Sequence, residues 1–115
     1  MARTALTVQD IVASGLNPVY SAANIDGHSI DNDNKAFLTV KNGGAGACEV
    51  TVQTPRQEDG LDLAERVVSV PAGEERDIGP FPPKSYNRTS GADVGSVYVD
   101  FDQVTSVTVA AKRLP

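Results

Sequence analysis

The segment Asn24-Ile-Asp-Gly-His-Ser-Ile-Asp-Asn-Asp-Asn34 puts three aspartates, three asparagines and the single histidine of the chain into eleven residues. Closely spaced carboxylates and amides could ligate calcium, and a histidine among them could ligate zinc or act as a general base. The spacing fits neither metal. A calcium loop begun at Asp31 needs an oxygen ligand at its fifth position, glycine at its sixth and glutamate at its twelfth. The chain supplies Lys35, Ala36 and Asn42 there. Zinc needs further His or Cys ligands, and His28 stands alone. Asp and Asn also bond their own backbone and tolerate left-handed geometry, so the segment reads as a loop with no metal.

Nucleophilic catalysis needs Ser, Thr or Cys held by a base that a third group orients. Cys48, the one cysteine, occupies an inward position of an alternating run and reads as a small buried hydrophobe rather than as the partner of His28. Glu58-Asp59, Glu74-Glu75 and the Asp100/Asp102 pair read as solvated carboxylates, since glycoside chemistry needs one carboxyl in an apolar pocket. Asn42–Gly46 lacks the Lys-Ser/Thr and the following helix of a phosphate loop. The expectation is a protein that is not an enzyme, with no catalytic, cofactor-binding or metal-binding residues.

The elements that must position these residues are short and β-like. The chain has 115 residues, ten of them Gly and seven Pro, which punctuate runs rich in Val; such punctuation suits an all-β sandwich. Leu38 and Val40 alternate with Phe37 and Thr39. Cys48, Val50 and Val52 alternate with Glu49, Thr51 and Gln53. The same period places Val97, Val99 and Phe101 inward, followed by Val107, Val109 and Ala111. The runs at 36–41 and 48–53 read as an antiparallel pair or as consecutive strands in facing sheets. Val19–Ala23, Arg66–Val70 and Glu74–Ile78 are further strands. Pro55–Arg66 is a polar excursion in which Leu61 and Leu63 form an edge strand or cover the core. Lys84–Gly95 reads as loop. Thr7–Gly15 reads as one or two turns of capped helix or, equally, as a strand.

The predicted fold is all-β: a single antiparallel β-sandwich, Ig-like or jelly-roll-like, of about seven or eight strands. Residues 1–18 form an N-terminal arm or short helix, and residues 19–115 form the sandwich. The net charge of −5 and the pI near 4.6 argue against a nucleic-acid partner, which needs a clustered basic face. No apolar run reaches the length of a membrane helix. No apolar stretch follows Met1-Ala2-Arg3-Thr4 to act as a secretory leader, and one cysteine forms no internal disulfide, so synthesis in a cytosol is expected. The glycosylation triplet Asn87-Arg-Thr89 would then go unused.

The strings Lys41–Pro55, Val70-Pro-Ala-Gly73, Ile78–Pro83, Val97–Phe101 and Val104–Ala111, with Thr4–Ile11 and Ala23–His28, resemble a family of small structural proteins encoded in tailed-bacteriophage head modules. The resemblance implies a β-sandwich in the virion, made in the host cytoplasm, acting as a capsid decoration or minor head protein. Its expected partners are the major capsid protein or other virion proteins and further copies of itself, as a homo-oligomer. A neck or tail component is the alternative within that class. A glycan-binding module is the alternative outside it, although the absence of Trp counts against an aromatic sugar platform. On the decoration reading, docking falls to Arg3, Leu6 and Val8 in the N-terminal stretch and to Pro80, Phe81 and Pro82. Phe81 is either an interface anchor or a plug for its own core.

Overall fold

The computed structural model describes residues 3–55, 57–58, 60–62, 65–89 and 93–114, with the backbone alone at 57–58 and 61–62. Two five-stranded sheets face each other across one core, and a separate two-stranded hairpin lies in the chain between two strands of the first sheet. In chain order the strands are β1 (Thr4–Leu6), β2 (Val8–Asp10), β3 (Ser21–Ala22), β4 (His28–Asp31), β5 (Ala36–Asn42) and β6 (Cys48–Val52). They continue with β7 (Gln57–Glu58), β8 (Leu61–Asp62), β9 (Arg66–Val70), β10 (Glu75–Ile78), β11 (Ser96–Phe101) and β12 (Val107–Arg113). A single helical turn, α1 (Pro83–Tyr86), precedes β11.

The first sheet has the order β1-β4-β11-β6-β9 and the second the order β10-β5-β12-β2, with β3 also paired to β12. Consecutive strands mostly lie in opposite sheets; β5 and β6 are facing strands, not a hairpin. Period-two alternation explains the packing. Val50, Val52, Val97, Val99, Phe101, Val107 and Val109 are all buried, and Leu38, Val40 and Cys48 are fully so. Strands β6 and β11 give their apolar face to the core and their polar face outward, and β5 and β12 bury Leu38, Val40, Val107 and Val109 in the same way.

Four sequence expectations are corrected. Residues 4–10 form two strands in place of an arm or a helical turn, and of the two readings of Thr7–Gly15 the strand holds at Val8–Asp10. Leu6 and Val8 pack against the core from opposite sheets, and Thr7 is the single step by which the chain crosses between them. The sandwich is mixed rather than purely antiparallel, because β1 runs parallel to β4 and β2 parallel to β12; alternation carries no information on strand direction. The Asp-rich segment is a loop only at its ends, since His28, Ser29 and Ile30 are buried in β4 between β1 and β11. Lys84–Gly95 begins in helix, because Pro83 takes the first helical position, where its missing N–H costs nothing. Leu61 lies in the β7–β8 hairpin; Asp59 and Leu63 fall outside the described residues.

Candidate functional site

In the Asp/Asn-rich segment the side-chain oxygens of Asn24, Asp31, Asn32 and Asp33 are engaged by the chain itself. The Oδ1 atoms of Asn24, Asn32 and Asp33 accept the N–H groups of Asp26, Asn34 and Lys35, each two residues on, at 3.0, 3.0 and 3.1 Å. Such turns are what short amide and carboxylate side chains build readily. Asn34 takes the left-handed conformation, with φ 70°. The Asn32 amide donates to Phe81 O and Asn87 Oδ1, both at 2.6 Å, so a residue of the turn after β4 fixes the proline segment. Asn87, of the glycosylation triplet, is thereby engaged with Asn32. Asp33 faces Arg113 at 3.2 Å. Desolvation pushes the Asp33 carboxyl up, but the Lys35 N–H and Arg113 outweigh it and hold its pKa below the usual value. Among the described residues no group of three or more His, Cys, Asp or Glu side chains is placed to share a metal ion.

His28 is buried, with both ring nitrogens occupied. Nδ1 lies 3.0 Å from Thr4 O; a carbonyl can only accept, so Nδ1 carries the proton. Nε2 accepts the Asn24 N–H at 3.0 Å. The ring meets Phe101 edge-on, with centroids 5.9 Å apart. Burial is the largest influence on this imidazole and lowers its pKa; the bond to Thr4 acts upward, and the Arg3 charge lowers it further. Cys48 is far away. In the first sheet His28 is level with Val99 and Val99 with Val52, which puts Cys48 four residues farther along and two strands over, roughly 16 Å distant. Its thiol donates to Gln103 O at 3.3 Å, and burial, helped by Asp102, raises its pKa. It is a core residue with the proton held on.

The six docking residues expected from the sequence divide sharply. Arg3 is folded onto the first sheet, bonded to Asp100 at 2.9 Å and to Val99 O at 3.0 Å. Leu6 and Val8 are partly buried against the core. Phe81 is 0% exposed and packs on Tyr86, so it plugs its own domain and is not available as an anchor; a fully apolar ring gains more from the sandwich interior than from solvent. Pro80 and Pro82 remain exposed.

Pro80 lies in a feature that alternation alone did not reveal. A groove of about 310 Å³ runs between Pro80, Phe37 and Leu114, with Ala36 as floor and Lys35 and Asp77 on the rim. Leu114 is 54% exposed. Through Lys35 and Leu114 the groove continues into a shallower one lined by Ile11 and Val12. Arg113 stands beside it, held between Asp10 at 2.8 Å and Asp33 at 3.2 Å. Gly79 (φ 148°) permits the close approach, since a Cβ there would meet Phe37 Cβ at 2.8 Å. The signal in the sequence was Phe37, an aromatic on the outward face of its strand.

The aromatic faces elsewhere are covered. Tyr98 lies between the Arg3 and Arg88 guanidinium groups, at 4.1 and 4.4 Å from its ring centre, and its hydroxyl donates to Asp93. Tyr20 lies beneath the Lys41 and Lys112 ammonium groups, at 4.2 and 5.4 Å. A second cleft, about 410 Å³, opens between β1, β2, β3 and β12. Gln9 spans its mouth, bonding both the N–H and C=O of Val19 as a strand would. No protein family, curated protein or solved structure matches the chain.

Proposed function

We propose that this chain is a non-enzymatic structural protein of a tailed-phage virion that binds the capsid exterior, with the major capsid protein as its partner. The virion assignment rests on the sequence resemblance. The docking half rests on one observation: the exposed apolar groove of Phe37, Pro80 and Leu114, continued by Val12. An apolar strip with a charged rim is the usual anatomy of a protein-binding surface. A glycan platform has less support, because Tyr20 and Tyr98 have cations stacked over their rings.

The test is cosedimentation of the purified chain with undecorated capsids from the phage that encodes it. Saturable binding is expected, weakened at least ~10-fold by Leu114→Asp, which removes an interface apolar contact without touching the core. Failure of the intact chain to bind would end the decoration reading and leave the neck or tail alternative. Undiminished binding by a folded Leu114→Asp variant would remove the groove from it.

A further inference from the structure

The strand β1 is three residues long, lies at a sheet edge and, among the described residues, pairs only with β4. So short a parallel pairing is weak by itself. Besides the ladder and the apolar contact of Leu6, polar side chains hold it: the Asn24 amide donates to Thr4 Oγ1 at 2.7 Å, the preceding Arg3 bridges to Asp100, and one buried ring bonds Thr4 O. His28 donates through Nδ1 to Thr4 O and accepts through Nε2 from the Asn24 N–H, and Thr4 N donates to Gly27 O at 3.1 Å. The ring therefore clamps β1 and the turn at 24–27 at once, and it can do so in one protonation state only. A second ring proton would sit on Nε2, pointing at the Asn24 N–H, donor against donor.

We propose that His28 is an acid-sensitive latch: neutral, it ties β1 and the 24–27 turn to β4, and protonated, it releases the N-terminal strand while the rest of the sandwich stays folded. The surroundings favour release over accommodation of the new charge. Just before β1 stands Arg3, already cationic, its guanidinium 3.4 Å from the His28 backbone carbonyl and its charge opposing a second ring proton. From β11 come Phe101 and Asp100, whose carboxylate is engaged by Arg3 and Gln53. The turn carries Asp26, and β4 itself ends in Asp31, which accepts from Ser96. Across the cleft β12 offers Val109, Ala110 and Ala111, none of which titrates. A released β1 leaves β4 as an unpaired edge and opens the cleft from one side. The inference does not depend on the virion reading.

The experiment is amide hydrogen exchange on the whole chain, expressed as protection factors, at about pH 7.5 and about pH 5. The amides of β1 and of the 24–27 turn are expected to lose roughly tenfold or more of their protection on acidification, while those of β5 and β12 keep theirs. His28→Gln, which cannot take up the proton, should show no such acid step. Asp100→Asn should still show it, which separates the ring from the neighbouring ion pair. An unchanged β1 in the intact chain, an equal acid step in His28→Gln, or its disappearance in Asp100→Asn would each overturn the proposal. Should His28→Gln not fold, nuclear magnetic resonance titration of the intact ring decides. An Nδ1–H tautomer titrating below the ordinary histidine value of about 6.5 is required, and anything else overturns it.

Discussion

The two segments that the sequence offered for docking, the N-terminal stretch with Arg3, Leu6 and Val8 and the proline segment Gly79–Pro83, are both tied down, but by different forces. Gly79–Pro83 is anchored by burial: Phe81 is fully enclosed and its carbonyl is held by Asn32. The N-terminal segment is anchored chiefly by polar contacts. Arg3 bridges to Asp100, His28 clamps Thr4, Gln9 pairs with Val19, and only Leu6 and Val8 add apolar contact. Burial is nearly indifferent to pH and salt, whereas ion pairs and histidine bonds are not. One segment is thus a fixed plug and the other a condition-dependent seam.

The largest expected effect tests the plug. Phe81→Ala should cost about 3–5 kcal/mol in denaturant unfolding, with little change between low and high salt, because a buried ring leaves a cavity. A loss below about 1 kcal/mol would place Phe81 outside the core. Next comes the seam as a whole. Deleting residues 1–7 removes the β1 pairing and strands the buried Nδ1–H of His28, so a loss of about 2–4 kcal/mol is expected. A fully stable truncated chain would show that β1 is a detachable arm after all. Gly27→Ala strikes the same seam from below. Gly27 has φ 92°, and a Cβ there would lie 2.7 Å from Val99 O and against the Arg3–Asp100 bridge. A cost of about 1–3 kcal/mol follows from the strain.

Smallest is Arg3→Ala. Its ion pair is partly exposed, so about 0.5–1 kcal/mol is expected, shrinking as salt is raised. If Arg3→Ala proved salt-independent, the contrast between the segments would lose its electrostatic half. The pH response sharpens the contrast further. The folded-state pKa of His28 lies below its unfolded value of about 6.5, so its contribution is intact above that pH. As the pH falls below it, the unfolded chain takes up the proton first, and stability is lost until the folded ring titrates too.

Much of the fold could be read directly. The inward faces of β5, β6, β11 and β12 follow from alternation, since neighbouring side chains on a strand must point opposite ways whatever the strand is paired with. The turn chemistry of Asn24, Asn32 and Asp33 was legible too, because each bond reaches only two residues along the chain. The groove was not. Phe37, Pro80 and Leu114 meet only because β5 begins beside the proline segment and beside the chain leaving β12.

Sequence by itself therefore determined which residues face inward and where the chain turns, as these are local and steric. Tertiary structure alone decided that Phe81 is a plug and not an anchor. It also decided that part of an Asp-rich segment is a buried strand and that one histidine holds the N-terminal strand in place. The reason is range. Arg3 meets Val99 across 96 positions, Asn32 meets Phe81 across 49, and Thr4 meets His28 across 24. Whether a polar group or a ring is buried depends on partners at that distance, and no local period reports on them.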